Sequence, residues 1–156
     1  MVAESADVRH RVRELVEEAA RRLGVEVNST KLERSGPPLP AALDAFLAMI
    51  GPTNSDLSEA WFPSGRVGFE ILSEGREHAR RTLEIAGLPE DLLGDVAFFV
   101  SEPSGTVVWV EMGAGDDPPV QYIHEASTEV LAWTKTFTEW LARVMPNEDG
   151  ELPIWT

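Results

Sequence analysis

The chain contains no cysteine. That excludes disulfides, thiolate nucleophiles and cysteine-ligated zinc, and it is compatible with a reducing compartment. Tyrosine occurs once. No apolar run approaches the roughly 18 residues that a membrane helix requires. The opening residues MVAESADVRHRV lack the apolar stretch of a secretory signal, so the expected location is cytoplasmic. Basic residues are scarce too: 13 Lys and Arg stand against 27 Asp and Glu, for a net charge of −14 in 156 residues. A length of this order fits one domain, residues 1–156, with a sizeable core.

The missing positive charge is missing from one part of the chain. Residues 1–40 hold seven acids and seven bases, whereas after Arg81 only Lys135 and Arg143 are basic, against fourteen acids. An acidic surface repels phosphate backbones and anionic lipid heads, so nucleic acid and membranes are not expected partners. A basic protein is. Solubility alone also accounts for such a charge.

Several chemical signatures are absent. There is no Gly-x-Ser-x-Gly elbow, no His-x-x-x-His pair and no calcium-hand spacing of acids around a glycine. The histidines, His10, His78 and His124, fall on separate predicted elements. Gly113-Ala114-Gly115 precedes two aspartates, where a phosphate site needs bare N–H groups and a base. Asp116-Asp117, with Glu111, His124 and Glu125 nearby, invites a metal reading. Adjacent aspartates on an extended backbone diverge, however, and a turn ahead of Pro118-Pro119 explains them better. No cofactor, metal or catalytic residue is expected.

What is present is periodicity. Val8, Val12, Leu15, Val16, Ala19 and Leu23 form one helical stripe, capped by Ser5 or Asp7 and stopped by Gly24. VEVNSTKLE reads as an edge strand or loop and SGPP as a break. LPAALDAFLAMIG predicts a second helix facing inward through Leu43, Phe46, Leu47 and Ile50. TNSDLSEAWFPSG reads as an irregular loop with an exposed Trp61-Phe62 pair, and RVGFEIL as a strand. Ser73 begins a third helix that Gly87 ends, with Ala79, Leu83 and Ala86 as its apolar face; LPEDLLG adds a turn.

From Asp95 the period shortens. DVAFFVS and TVVWVEM around EPSG predict a hairpin, and VQYIHE a further strand after the acidic turn. Thr136-Phe137-Thr138-Glu139 has the form of a capping box and opens a closing helix through Phe137, Trp140, Leu141 and Val144. Residues 146–156 read as a loose tail. Helices, then strands, then a helix predict an α+β fold: a mostly antiparallel sheet packed against N-terminal helices and a closing C-terminal helix.

The order of these motifs resembles the SUKH superfamily of bacterial toxin-immunity proteins and fungal cell-wall-synthesis regulators. PPLPAALDAFLAMIG is similar to its LP helix, DVAFFVSEPSGTVVWVEM to its central hairpin, DDPPVQYIHE to its DPPV strand, and TFTEWL to its closing helix. The likeness spans roughly residues 37–145. It implies a non-catalytic protein-binding domain, an immunity protein that neutralises a cognate toxin, often a nuclease, by direct binding. An acidic inhibitor suits the basic substrate groove of a nuclease. A scaffold or regulatory module without a toxin is the alternative, and a small hydrolase a remoter one. The expected contact surface is the acid-rich sheet edge and its turns: Trp109, Glu111, Asp116, Asp117, Tyr122 and Glu125. Asp116 and Asp117 are expected to frame the strand with their carboxylates in solvent.

Overall fold

Two strand signals of one kind decide the architecture. VAFFV and VVWV are continuous apolar runs, the pattern of strands buried on both faces, and both faces are indeed covered. The computed structural model describes residues 2–28, 38–63, 65–103, 105–126 and 129–153, with side chains from residue 5 onward. Its helices are α1 (Val2–Leu23), α2 (Ala41–Ile50), α3 (Asp56–Trp61), α4 (Ile71–Ala86) and α5 (Phe137–Arg143). Its strands are β1 (Arg66–Val67), β2 (Val96–Ser101), β3 (Val107–Glu111), β4 (Val120–Ile123) and β5 (Leu131–Thr134), and a 3₁₀ turn spans Glu90–Leu92. The strands form one antiparallel sheet in the order β1-β2-β3-β4-β5. No helix among the described residues is long and apolar enough to cross a membrane.

Alternation along β3 sorts its residues between two cores. Val108 and Val110 join the larger one, under α1, α2, α3 and α5; Val107 and Trp109 join the smaller one, under α4. In β2 the alternation breaks. Phe98 pairs with Trp109 and Val100 with Val108, so one residue is extra. This bulge turns both Phe99 and Val100 toward the larger core, while Phe98 remains under α4.

An aromatic cluster centres the larger core. Phe46 of α2 meets Trp61, Phe62, Phe99, Phe137 and Trp140 edge-on at 5.4–6.4 Å. Trp61 and Phe62, expected at the surface, are therefore buried, and Trp61 Nε1 donates to the Val144 carbonyl at 2.7 Å. The segment carrying them is a helix. Ser55 caps it, accepting from Ser58 N at 3.1 Å, a signal hidden in a polar stretch.

Other boundaries moved. Ser5 lies inside α1, which begins at Val2, so neither Ser5 nor Asp7 is its cap. RVGFEIL keeps only two residues of strand, because at Gly68 the backbone presses on Gly51 and Thr53 and turns into α4 at Ile71. A Cβ on Gly68 would lie 2.7 Å from Thr53 N and 2.8 Å from Gly51 O. β5 was not anticipated, although Leu131, Trp133 and Thr134 suit a strand. Residues 147–151 are not loose: Asn147 Oδ1 accepts from the N–H groups of Asp149 and Glu151, and Arg22 holds the Pro146 carbonyl at 2.8 Å. Residues 29–37, including most of KLERSGPP, and the tail residues 154–156 lie outside the described residues.

Candidate functional site

The acidic turn between β3 and β4 meets three helices. The Asp116 carboxylate accepts from Ser5 Oγ of α1 at 2.7 Å, and its carbonyl accepts from Ala42 N, in the first turn of α2, at 2.9 Å. Asp117 reaches α5: Oδ1 accepts from Thr138 N at 2.9 Å and Oδ2 from Thr138 Oγ1 at 2.6 Å. The first N–H groups of a helix have no partner within it, and a carboxylate there also opposes the positive end of the helix dipole. Thr136 takes the next of them, accepting from Glu139 N at 3.1 Å. The reciprocal bond of the capping box reaches one residue further back, from Lys135 N to Glu139 Oε2 at 3.2 Å.

The framing role expected of DDPP is thus present, but the solvated carboxylates are not. Both are half-buried and hydrogen-bonded. Removing Asp117 unpartners a helix terminus, so Asp117→Ala should lose about 1–2 kcal/mol of stability, within the range of lost helix caps. Asp117→Asn, which keeps an acceptor, should lose less. Urea unfolding checks this; a loss below about 0.5 kcal/mol for the alanine variant would show that the bonds to Thr138 contribute little.

The six residues expected to form one contact surface are divided. Trp109 is only 2% exposed and packs beneath α4 against Phe98, their rings 5.8 Å apart. Its place on a strand covered from both sides removes it from any flat interface. Tyr122 lies on the opposite face, half-buried, with its ring 5.2 Å from that of Trp133. Glu111 and Glu125 are exposed, at opposite ends of the β3–β4 ladder, as the pairs Val110–Val120 and Val107–Ile123 require. Glu125 packs over Gly105 in the hairpin turn, where a Cβ would collide with its side chain.

Close to Glu125, His78 of α4 is in hydrogen-bond contact with Ser101 Oγ at the end of β2. Partial burial lowers the imidazole pKa below its ordinary value; Arg81 adds to this and Glu125 opposes it. His10 sits exposed beside Glu14, and His124 Nδ1 accepts from Ala126 N, so the three histidines stay apart. Among the described residues no group of three or more His, Asp or Glu side chains converges as metal ligands would.

What the fold does assemble is a cleft of about 540 Å³ on the face that carries α4, beyond that helix. Trp109 and Glu111, two residues apart on β3, line it with Gln121, the cross-strand partner of Trp109. The loop before β2 closes it with Leu92, Asp95 and Val96. Asp95, Leu92 and Gln121 had no local signal in the sequence; strand register brings Gln121 to Trp109, and the loop before β2 brings the other two to the cleft. The frame is that of an antiparallel five-stranded sheet between two helical layers. Compared with models of protein families, with curated proteins and with solved structures, the chain has no match.

Proposed function

We propose that this chain is a non-catalytic protein-binding domain, an immunity protein that neutralises a basic toxin domain, such as a nuclease, by occluding it. The observation that carries this reading is the charge imbalance after Arg81, where two bases face fourteen acids. Glu111 and Glu125 hold part of that charge at the surface, while Asp116 and Asp117 spend theirs on α1 and α5. The resemblance of the LP helix, hairpin, DPPV strand and closing helix to the SUKH pattern supports the same reading. Inhibition by occlusion needs a surface of opposite charge, and exposed acids such as Glu111 and Glu125, at the two ends of the β3–β4 ladder, contribute to one.

The test is genetic and then kinetic. A polymorphic toxin gene beside this one, expressed alone, should kill its host, and co-expression of this chain should restore growth. A neighbourhood without a toxin, or a toxin that still kills at equal expression, would favour a scaffold or regulatory role. With the purified pair, the association rate should fall steeply as salt rises to ~0.15 M, since steering acts over ~8–10 Å there. A flat rate would assign the acidity to solubility.

A further inference from the structure

We propose that His78 is a pH-sensitive latch between α4 and the β2–β3 hairpin, closed while its imidazole is neutral and loosened when the ring is protonated. The inference concerns the response of the fold to acid and does not rest on the function proposed above.

The geometry is a seam of contacts on successive turns of α4. Gly75 presses on Phe98, His78 meets Ser101 Oγ, and Thr82 Oγ1 donates to the Gly105 carbonyl at 3.2 Å. Helix positions three and four apart share a face, and the residues they touch advance in the same steps. The helix therefore lies along β2 as far as the hairpin turn. The contact below His78 is apolar, and the one above it runs through Thr82, which is 1% exposed. Only the middle contact changes charge between about pH 5 and about pH 8.

This seam disfavours a cation. The imidazole is half-buried, so charging it sacrifices hydration, which is the main reason its pKa lies below the ordinary 6.5. Arg81, on the same helix, repels the charged ring, and Glu125, beyond β4, attracts it. Glu125 is exposed, however, where solvent screens it. Glu74, one turn earlier on α4, is held at 2.8 Å by Arg66 of β1, the cross-strand partner of Ser101. Glu77 pairs with Arg80 at 2.6 Å, and Glu102, after β2, leans over Gly65. From β3 the partner of Ser101 is Val107, which carries no charge.

A base whose pKa is lower in the fold than in the unfolded chain binds its proton less readily when folded. The stability that the neutral ring contributes is complete above about pH 6.5 and is lost as pH falls through the lowered folded value. Relief does not require global unfolding. The ring reaches water once this flank of α4 lifts from Ser101 and Gly105, while the larger core lies on the other face of the sheet. Local openings of this kind cost less than unfolding the whole domain.

An NMR titration of the His78 ring, assigned by its loss in His78→Gln, should give a midpoint below 6.5. Arg81→Gln should move that midpoint up and Glu125→Gln should move it down, because the first charge opposes the protonated ring and the second favours it. Both side chains are exposed, so neither change threatens folding. Hydrogen exchange, corrected for the intrinsic rate, then locates the opening. Between about pH 7.5 and about pH 5.5, protection at Thr82 and Leu83 of α4 should fall while protection at Phe46 and Leu47 of α2 holds. The fall should vanish in His78→Gln and persist in His10→Gln, which alters an exposed histidine of α1. A midpoint at or above 6.5 overturns the proposal, as does a charge variant that shifts it the wrong way. Equal loss of protection in α2 would assign the effect to global unfolding, and an unchanged loss in His78→Gln would assign it to other groups; either result sinks the latch. Should His78→Gln fail to fold, the Arg81 and Glu125 variants decide the question.

Discussion

Phe46→Ala should lower the unfolding free energy by about 3–5 kcal/mol, the range for removing a fully buried phenylalanine. Phe46 is wholly inaccessible, and it is the ring that Trp61, Phe62, Phe99, Phe137 and Trp140 share. Those rings come from α3 and the residue after it, β2 and α5, so the cavity would open where four segments of the larger core meet. A collapse of the neighbours is restricted, because Phe62 and Trp140 already stack at 6.2 Å and Phe99 and Trp140 meet edge-on at 5.1 Å. The loss is a large share of a typical domain stability of about 5–15 kcal/mol. Urea or thermal unfolding decides it. A loss under about 1 kcal/mol would show that α2 does not anchor the cluster.

Gly75→Ala tests the other face of the sheet, and there local and tertiary physics give opposite signs. Glycine within a helix costs roughly 0.5–1 kcal/mol against alanine, so helix propensity alone makes the substitution stabilising. In the fold, Gly75 is where α4 presses on Phe98 of β2. An added Cβ would fall 2.6 Å from Phe98 Cγ and closer still to Phe98 Cβ. That Cβ is fixed to the strand backbone and cannot swing aside. The helix must lift, and overpacking of this kind costs about 1–3 kcal/mol, enough to exceed the propensity gain. The expected result is a net loss of about 1 kcal/mol or more, with a Trp109 environment altered in fluorescence because Phe98 and Trp109 are in contact. An unchanged or raised unfolding midpoint would mean that α4 rides further from the sheet.

Gly75 shows where sequence reading reaches its limit. Its position in ILSEGREHARR marks nothing beyond a weak point in a helix, and the close approach exists only once β2 is beneath it. Phe46 stands at the opposite extreme. Its place in the stripe Leu43, Phe46, Leu47, Ile50 follows from helical spacing, and all four are inaccessible. The closing helix was equally legible, because Thr136 and Phe137-Trp140-Leu141-Val144 carry both a cap and a stripe. Trp61 and Phe62 were misplaced because a six-residue helix shows too little periodicity to announce which way its side chains point.

The sequence by itself determined the α+β class, the helix faces, the hairpin and the acidic character of everything beyond Arg81. These depend on spacing of three to four residues in helices and two in strands, on caps, and on composition, all of which are local. Tertiary structure decided which acids are spent and which are left. Asp116 and Asp117 adjoin in sequence, yet one binds α1 and the other α5, because the turn between β3 and β4 falls where those helix ends converge. Trp109 and Glu111 share a strand face, yet one is sealed beneath α4 and the other stands beyond its cover. The cleft joins residues 92–96, 109–112 and 121, and no local pattern encodes it. Strand register does, since pairing Val96 with Glu111 and Trp109 with Gln121 sets those side chains beside one another.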